Sequence, residues 1–205
     1  IIKEMNRLGL MIDISHSTDS AVIQVIKISN APIIASHSSC RYFTPGLKRN
    51  LSDTLIKAIA KKNGIIMINF GSLFLDSVCM INTDSVVSLF NTKGISYDSK
   101  EGMDFIMEFG KTHRLFSDSK RLVDHIEHII KLAGIDYVGL GSDFDGIGPS
   151  KPSDIPDVSG YPVIVCELLK HGYSEKDITK ILSGNFLRVW NDVIRIADLP
   201  FRNKP

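Results

Sequence analysis

Two histidines of this 205-residue chain occur in the same short context, each between two serines. His16 and His37 both follow a short apolar run, rich in branched side chains, that is typical of a buried parallel strand. Because neighbouring strands lie about 4.8 Å apart, histidines that follow adjacent strands can converge on one divalent cation. Neutral imidazole is a good zinc ligand, although a catalytic zinc uses about three protein ligands. The spacing therefore predicts part of a metal site, and a structural role is the alternative for either histidine alone.

Two aspartates follow the fourth apolar run, in the sequence Asp143-Phe144-Asp145-Gly146. Carboxylates two positions apart on an extended segment point to opposite sides, so only one of them can face a site above the strand. The other would satisfy backbone donors in the turn at Gly146. A carboxylate beside a metal can ligate it, hold the attacking water or transfer protons. The spacing alone leaves open whether Asp143 or Asp145 does so.

Arg49 is a third candidate, in the loop that follows the second apolar run. A guanidinium above the ligand-binding edge of a sheet can bind a substrate carboxylate through two parallel hydrogen bonds. Without further support, a solvated surface arginine is the simpler interpretation of this residue.

Other polar residues are better explained by structural roles. His125 and His128 are three positions apart on a long predicted helix, which superficially suggests a metal pair. That helix is expected on the outside of the fold, far from the strand ends, so structural roles are favoured. Asn185 is expected to be a cap or turn residue that opens the last helix.

The elements that must position the candidate residues alternate along the chain. Four apolar runs are predicted strands, at residues 8–14, 32–36, 65–70 and 137–141. Predicted helices follow, at residues 19–29, 53–62, 119–132, 161–171, 174–182 and 186–197. Residues 71–116 keep no clean period, and only a short helix at 103–109 and turns at 91–94 and 97–100 are expected there. Strands separated by helices pair in parallel, which predicts an α/β fold with its site at the carboxyl ends of the strands.

Composition and charge argue against several functional classes. The 24 basic and 23 acidic residues give a formal net charge of +1, which argues against nucleic-acid or anionic-membrane binding through bulk charge. No run of about 18 apolar residues is present, so no membrane segment is predicted. The cysteines are odd in number and widely spaced, which favours buried reduced thiols over a metal knuckle or disulfide framework: Cys40, Cys79 and Cys166.

Several segments together resemble the membrane (renal) dipeptidase family and its bacterial relatives. They occur in family order, at residues 9–16, 34–39, 49–53, 69–70, 124–129, 139–146 and 184–189. The resemblance extends from near the first residue to about Trp190, whereas residues 75–115 match poorly. The residues of these segments resemble the bacterial branch of the family more than the membrane-anchored animal branch, which favours a cytoplasmic location.

The resemblance implies a fold, a cofactor and site roles. Family members are (β/α)8 TIM barrels of the metal-dependent hydrolase type that hold two zinc ions and hydrolyse dipeptides. The chain would form a single domain over residues 1–205, supplying about the C-terminal half of the barrel as four βα units plus C-terminal helices. By motif match, His16 and His37 would ligate the second zinc. Arg49 would bind the terminal carboxylate of the dipeptide, and Asp145 would be the catalytic and substrate-binding carboxylate.

The resemblance also implies what this chain lacks. The family's first-strand His-x-Asp motif, its bridging Glu and a further substrate-binding His have no counterpart here, so the chain alone is expected to be incomplete as a zinc-dependent dipeptidase. Half a barrel also leaves two sheet edges, and a homodimer is possible.

Two alternatives stay open. One is a non-catalytic half-barrel that binds a partner or self-associates, and the other is a different amidohydrolase-type metal hydrolase, such as one whose Arg49 binds a phosphoester.

Overall fold

A four-stranded parallel sheet forms the centre of the computed structural model, which describes residues 1–97 and 99–197. Its strands are β1 (Ile12–Asp13), β2 (Ile33–Ala35), β3 (Ile65–Ile68) and β4 (Val138–Leu140), and they lie in chain order. Every neighbouring pair is parallel, with Ile12 beside Ile33 and Ile66 beside Val138. The prediction of a parallel α/β fold with four strands is therefore confirmed.

The helices follow the predicted alternation. Ten α-helices are described: α1 Ile2–Leu8, α2 Asp19–Ile28, α3 Asp53–Lys61, α4 Ser72–Leu75, α5 Ser77–Lys93, α6 Lys100–Gly110, α7 Ser119–Ala133, α8 Tyr161–Lys170, α9 Glu175–Thr179 and α10 Asn185–Ile196. The N-cap hydroxyls of Thr18 and Ser52 accept hydrogen bonds from the backbone at Ala21 and Leu55, as the cap residues predict. The first strand begins later than expected because Gly9, with φ of 72°, ends α1 in a left-handed turn.

The two faces of the sheet pack against different helices because side chains alternate along each strand. Ile33, Ile66 and Ile68 face the large cluster built with α3 and α7, whereas Ile34 and Ile65 face Val189 and Val193 of α10. All of these side chains are buried, and each fully buried isoleucine contributes about 1.5–3 kcal/mol of transfer free energy.

The amino-terminal end of the sheet is tied to α10 by one arginine. The Arg188 guanidinium donates hydrogen bonds to the carbonyls of Asn63 and Gly64, which precede β3, and of Asp136, which precedes β4. Arg188 therefore fixes α10 to this end of the sheet, and the candidate site residues follow the opposite, carboxyl ends of the strands.

Residues 71–116 are more helical than the sequence predicts. The predicted turn at 91–94 is the last turn of α5, which ends at Gly94 with φ of 67°. The predicted helix at 103–109 is the central part of the longer α6. The two helices share a small core around Phe90, separate from the main cluster and built from Val86, Leu115, Phe105, Phe109 and Phe116. The apolar residues of α5 lie on several sides of the helix, so they leave no single stripe to read.

The cysteine prediction is correct for two of three residues. Cys40 and Cys79 are buried free thiols, whereas Cys166 is a free thiol exposed on α8. Within the described ranges, no helix combines the length and the apolar character needed to cross a membrane.

Candidate metal and substrate site

Neighbouring strands bring His16 and His37 together at the carboxyl end of the sheet. β1 pairs with β2, and the two histidines lie three and two residues beyond the ends of these strands. Their Nε2 atoms are 2.9 Å apart. Two imidazole nitrogens on a tetrahedral zinc, each about 2.0–2.1 Å from it, lie about 3.3 Å apart. The rings need to separate by only a few tenths of an ångström to hold such an ion, so the pair fits this metal.

The backbone at His16 is unusual. Its φ of 66° lies in the left-handed region, which non-glycine residues adopt rarely and at a cost of about 1–2 kcal/mol. A hydrogen bond from the Ser17 amide to the Ile14 carbonyl, at 3.1 Å, closes the turn around it. The turn directs the exposed imidazole of His16 across the strand end toward His37.

Serines beside the histidines join the two strand ends. Ser36 Oγ lies 2.6 Å from His37 Nδ1 and donates to Asp13 Oδ2 at 2.5 Å. Ser15 Oγ accepts the His37 amide at 3.0 Å and lies 3.2 Å from Ser38 Oγ. Burial raises the pKa of Asp13, but hydrogen bonds from Ser36 and Ser15 outweigh it, so the pKa is lowered overall and the carboxylate stays ionised.

Arg49 is anchored directly beside the histidine pair. Its Nη2 donates to the His37 carbonyl at 2.9 Å, and its Nη1 donates to Ser38 Oγ at 2.8 Å. Its guanidinium lies 5.8 Å from the centre of the Phe74 ring. Three of its five N–H groups have no protein acceptor among the described residues, so they can donate hydrogen bonds to a ligand. Burial lowers the pKa of Arg49, and Asp143 and Asp13 partly offset this effect.

The Arg49 loop is held by a residue that sequence reasoning missed. The Asn50 side chain donates to Thr44 Oγ1 and to the Phe74 carbonyl, both at 2.7 Å, and accepts from the Ser39 amide. Asn50 is buried, and all of its side-chain contacts lie within the loop and α4. A polar side chain next to the candidate arginine is the only signal that the sequence offers for this role.

Of the two candidate aspartates, the structure places Asp143 toward the site. The Asp143 carboxylate accepts from Asn69 Nδ2 at 2.9 Å, and its charge partly offsets the lowering of the pKa values of His37 and Arg49 by burial. A Cβ on Gly146 would collide with this carboxylate, so the glycine permits its position. Asp145, which the family resemblance implies as the catalytic carboxylate, is exposed, and it is not among the charges that act on His37 or Arg49.

The electrostatic surroundings keep His37 neutral. Burial lowers the pKa of His37, as do Arg49 and His16, while the carboxylates of Asp143 and Asp13 raise it by less. A neutral imidazole is the form that ligates a metal.

A cavity of about 510 Å³ opens beside the pair. It is lined by His16, Ser17, Thr18, Asp19, Ser20, Lys48 and Arg49. Asp19 is engaged by both terminal nitrogens of Arg41, at 2.7 and 2.8 Å, so Lys48 and Arg49 give this cavity its positive character. A space of this kind next to the histidines suits an anionic group of a small ligand.

The described part of the chain contains no group of three or more His, Cys, Asp or Glu side chains arranged around one metal position. His16 and His37 therefore supply two ligands, fewer than the roughly three of a catalytic zinc.

The second histidine pair has the structural roles that the sequence predicts. His125 is completely buried; its Nδ1 accepts the Cys40 amide at 3.0 Å, and its Nε2 lies 2.9 Å from the Leu75 carbonyl. Burial lowers the pKa of His125 to about 3. His128 Nε2 lies 2.8 Å from an oxygen of Asp53 on the neighbouring helix α3.

The expectation for Asn185 is wrong. Gly184 occupies the cap position, and a π-helical turn over Lys180–Gly184 makes α9 and α10 continuous, so Asn185 caps no helix. Its side-chain amide instead donates to the carbonyls of Ile135 and Val138, at 2.7 and 2.8 Å. Asn185 thus fastens the start of α10 to the segment that leads into β4, and it satisfies two backbone carbonyls there.

Sequence and structure comparisons relate this chain to known proteins. Residues 1–200 match the sequence model of the membrane dipeptidase family, peptidase family M19. The chain is 31% identical over 205 residues to Dipeptidase 3 of Mus musculus, covering 100% of the chain and 34% of that relative. It therefore spans about a third of the curated relative that it matches.

Two solved structures are similar in fold. The probable dipeptidase PvdM from Pseudomonas aeruginosa superposes with a TM-score of 0.78 at 30% identity, covering 96% of this chain and 53% of that chain. A metallopeptidase from Rhodobacter sphaeroides, solved with a phosphinate mimic of the dipeptide L-Ala-D-Ala, gives a TM-score of 0.72 at 28% identity, over 94% and 45%. The similarity covers about half of each structure and nearly all of this chain, which belongs to the membrane dipeptidase family.

Proposed function

We propose that this chain carries the second-metal and substrate-binding part of a zinc-dependent dipeptidase. The observation that supports this most is the meeting of His16 Nε2 and His37 Nε2 at 2.9 Å, with Arg49 bonded to the carbonyl of His37. The metal ligand His37 is therefore bonded directly to Arg49, whose guanidinium has unused N–H groups. A substrate bound by Arg49 would lie next to the metal ion.

His16 and His37 would hold the zinc through their Nε2 atoms. Bound there, zinc supplies Lewis-acid polarisation of the scissile carbonyl and activation of water. Further ligands, including those of a second zinc, would come from outside the described residues. This agrees with the chain spanning about half of the solved structures that it matches.

The opposite charges of Arg49 and Asp143, which both act on His37, suit the two ends of a dipeptide. Arg49 has three N–H groups left to bind the free carboxylate, in the bidentate geometry that guanidinium favours. Asp143, fixed by Asn69, can accept a hydrogen bond from the free ammonium group and a proton during the reaction. A site with one such pair of charges favours a substrate whose amino and carboxyl groups are both free.

Asp143 takes the place that the family motif suggested for Asp145. The supporting argument is electrostatic, since Asp143 acts on both His37 and Arg49, whereas Asp145 is exposed. The backbone explains why: φ of Asp143 is 60°, so the motif is not extended and does not follow strand alternation.

The test measures amino-acid release by the complete gene product with zinc. The substrates are L,L- and L,D-dipeptides, the same peptides acetylated at the amino end or amidated at the carboxyl end, and a phosphoester. We expect release only from dipeptides with both ends free, and none from His37→Ala. Hydrolysis of the phosphoester without any dipeptide would favour a different metal hydrolase. Absence of both zinc binding and turnover would favour a non-catalytic module.

A further inference from the structure

Ser36 stands between a carboxylate and the ring of a candidate metal ligand. Its hydroxyl donates to Asp13 Oδ2 at 2.5 Å and lies 2.6 Å from His37 Nδ1. The other oxygen of Asp13, Oδ1, accepts the backbone amides of Ser15 and Ser36, both at 3.0 Å. These bonds hold the carboxylate in one orientation, with Oδ2 toward the Ser36 hydroxyl.

This chain of hydrogen bonds determines where the proton of His37 resides. A carboxylate can only accept hydrogen bonds, so the single hydroxyl proton of Ser36 points toward Asp13. Ser36 Oγ is then an acceptor toward His37, and Nδ1 of that ring must carry the proton. Neutral His37 therefore has its lone pair on Nε2, the atom that faces His16.

His16 has no comparable arrangement. Among the described residues, no hydrogen-bond partner faces its Nδ1, and its imidazole is exposed. Because His37 Nε2 presents a lone pair at 2.9 Å, His16 Nε2 must donate the proton between them when no cation is present. For a cation to bind both rings, His16 must lose this Nε2 proton and take one on Nδ1.

We propose that Asp13 and Ser36 are positioning residues that preset His37 as a metal ligand, whereas His16 must change tautomer to become one. The proposal rests on the proposed metal site, and it assigns the two histidines unequal roles within it. Outer-shell partners of this kind are worth 10- to 100-fold in metal affinity.

The first test measures zinc affinity of the complete gene product by competition with a chromophoric chelator. We expect Ser36→Ala to weaken zinc binding about 10- to 100-fold and Ser36→Thr, which keeps the hydroxyl, to restore most of it. Ser85→Ala is the control, since Ser85 is exposed on α5 and its hydroxyl donates to the Ile81 carbonyl, outside the site, and its affinity should stay within about twofold. Equal affinities for Ser36→Ala and Ser85→Ala would overturn the proposal.

Asp13→Asn provides a sharper variant. The two backbone amides require the side-chain oxygen at the Oδ1 position, so the new NH₂ group faces Ser36 Oγ. Ser36 can then donate its proton to His37 Nδ1, which moves the ring proton to Nε2. We expect this variant also to weaken zinc binding about 10- to 100-fold.

The second readout is the ¹⁵N spectrum of zinc-free protein with labelled histidine. We expect a protonated Nδ1 at His37 and a protonated Nε2 at His16 in the unmodified protein, with His37 reversed in Asp13→Asn. A His37 proton on Nε2 in the unmodified protein would refute the proposal, even if a variant failed to fold. Neither readout requires turnover, so a protein that binds zinc as described but cleaves no dipeptide would refute only the proposed function.

Discussion

The two histidine pairs of this chain differ in what their ring nitrogens face. His125 and His128 have the regular spacing that suggests a metal site, yet both nitrogens of His125 are used by backbone groups inside the protein. His16 and His37 are 21 positions apart, and their Nε2 atoms face each other at the end of the sheet. A histidine can ligate a metal only if its lone pair is uncommitted. Three-dimensional placement, rather than spacing, therefore distinguishes the two pairs.

The largest expected effect is the difference in stability between variants of the two histidine pairs. His125→Ala leaves a buried cavity and strands the Cys40 amide and the Leu75 carbonyl, so we expect a loss of about 5 kcal/mol in the free energy of unfolding. His37→Ala, near the surface and without such partners inside the core, should cost about 1 kcal/mol. Urea unfolding of zinc-free protein measures both. Equal losses would remove the distinction between a structural and a ligand histidine.

The next effect concerns Asp143, the carboxylate that acts on His37 and Arg49. Asp143→Asn should lower dipeptide hydrolysis by the complete gene product about 1000-fold, because the carboxylate can no longer accept a proton or pair with the ammonium group. Asp145→Asn, the matched control, should stay within about threefold. Steady-state rates with both variants decide between the two aspartates. The reverse ranking would restore the assignment that the sequence motif suggested.

The pH dependence of stability should separate the buried histidine from all others. The pKa of His125 is about 3 in the folded protein against 6.5 ordinarily, so between these values only the unfolded state binds the proton. Its contribution is intact above pH 6.5 and is lost as the pH falls toward 3, by about 1.4 kcal/mol per pH unit. Urea unfolding at pH 7 and 5 measures it, with His125→Gln as the non-titrating control. The same slope in that control would contradict the assignment to His125.

The smallest effect is expected within the structural pair itself. His128 contacts Asp53 at 2.8 Å and stacks on Tyr42 with ring centres 4.5 Å apart, both near the surface. His128→Ala should therefore cost only about 1 kcal/mol of unfolding free energy. A loss as large as that of His125→Ala would show that the helix, rather than burial of one ring, sets the stability.

The sequence predicts the parts of the fold that depend on local pattern. Apolar runs mark the four strands, and hydroxyl caps at Thr18 and Ser52 mark helix starts, because these signals act over a few residues. Adjacent strand ends then place His16 beside His37. The α5 helix is missed because its apolar residues lie on several sides, and its core is shared with α6 rather than with the main cluster.

The site details that escaped sequence reasoning depend on backbone geometry and long-range contacts. Strand alternation leaves the choice between Asp143 and Asp145 open, and the positive φ of Asp143 shows that this segment is not extended, so alternation does not apply to it. Asn185 bonds carbonyls about 50 residues away, and Asn50 bonds Phe74, so neither role is visible locally. Asp13 accepts a hydrogen bond from Ser36, 23 residues away, so its part in the site also depends on a long-range contact.

The most direct test of the account is a crystal structure of the complete gene product grown with zinc, with data collected at the zinc absorption edge. The account predicts an anomalous peak about 2.0–2.1 Å from Nε2 of both His16 and His37, with Ser36 still bonded to Nδ1 of His37. A zinc ion bound without either histidine, or through Nδ1 of His37, would contradict it.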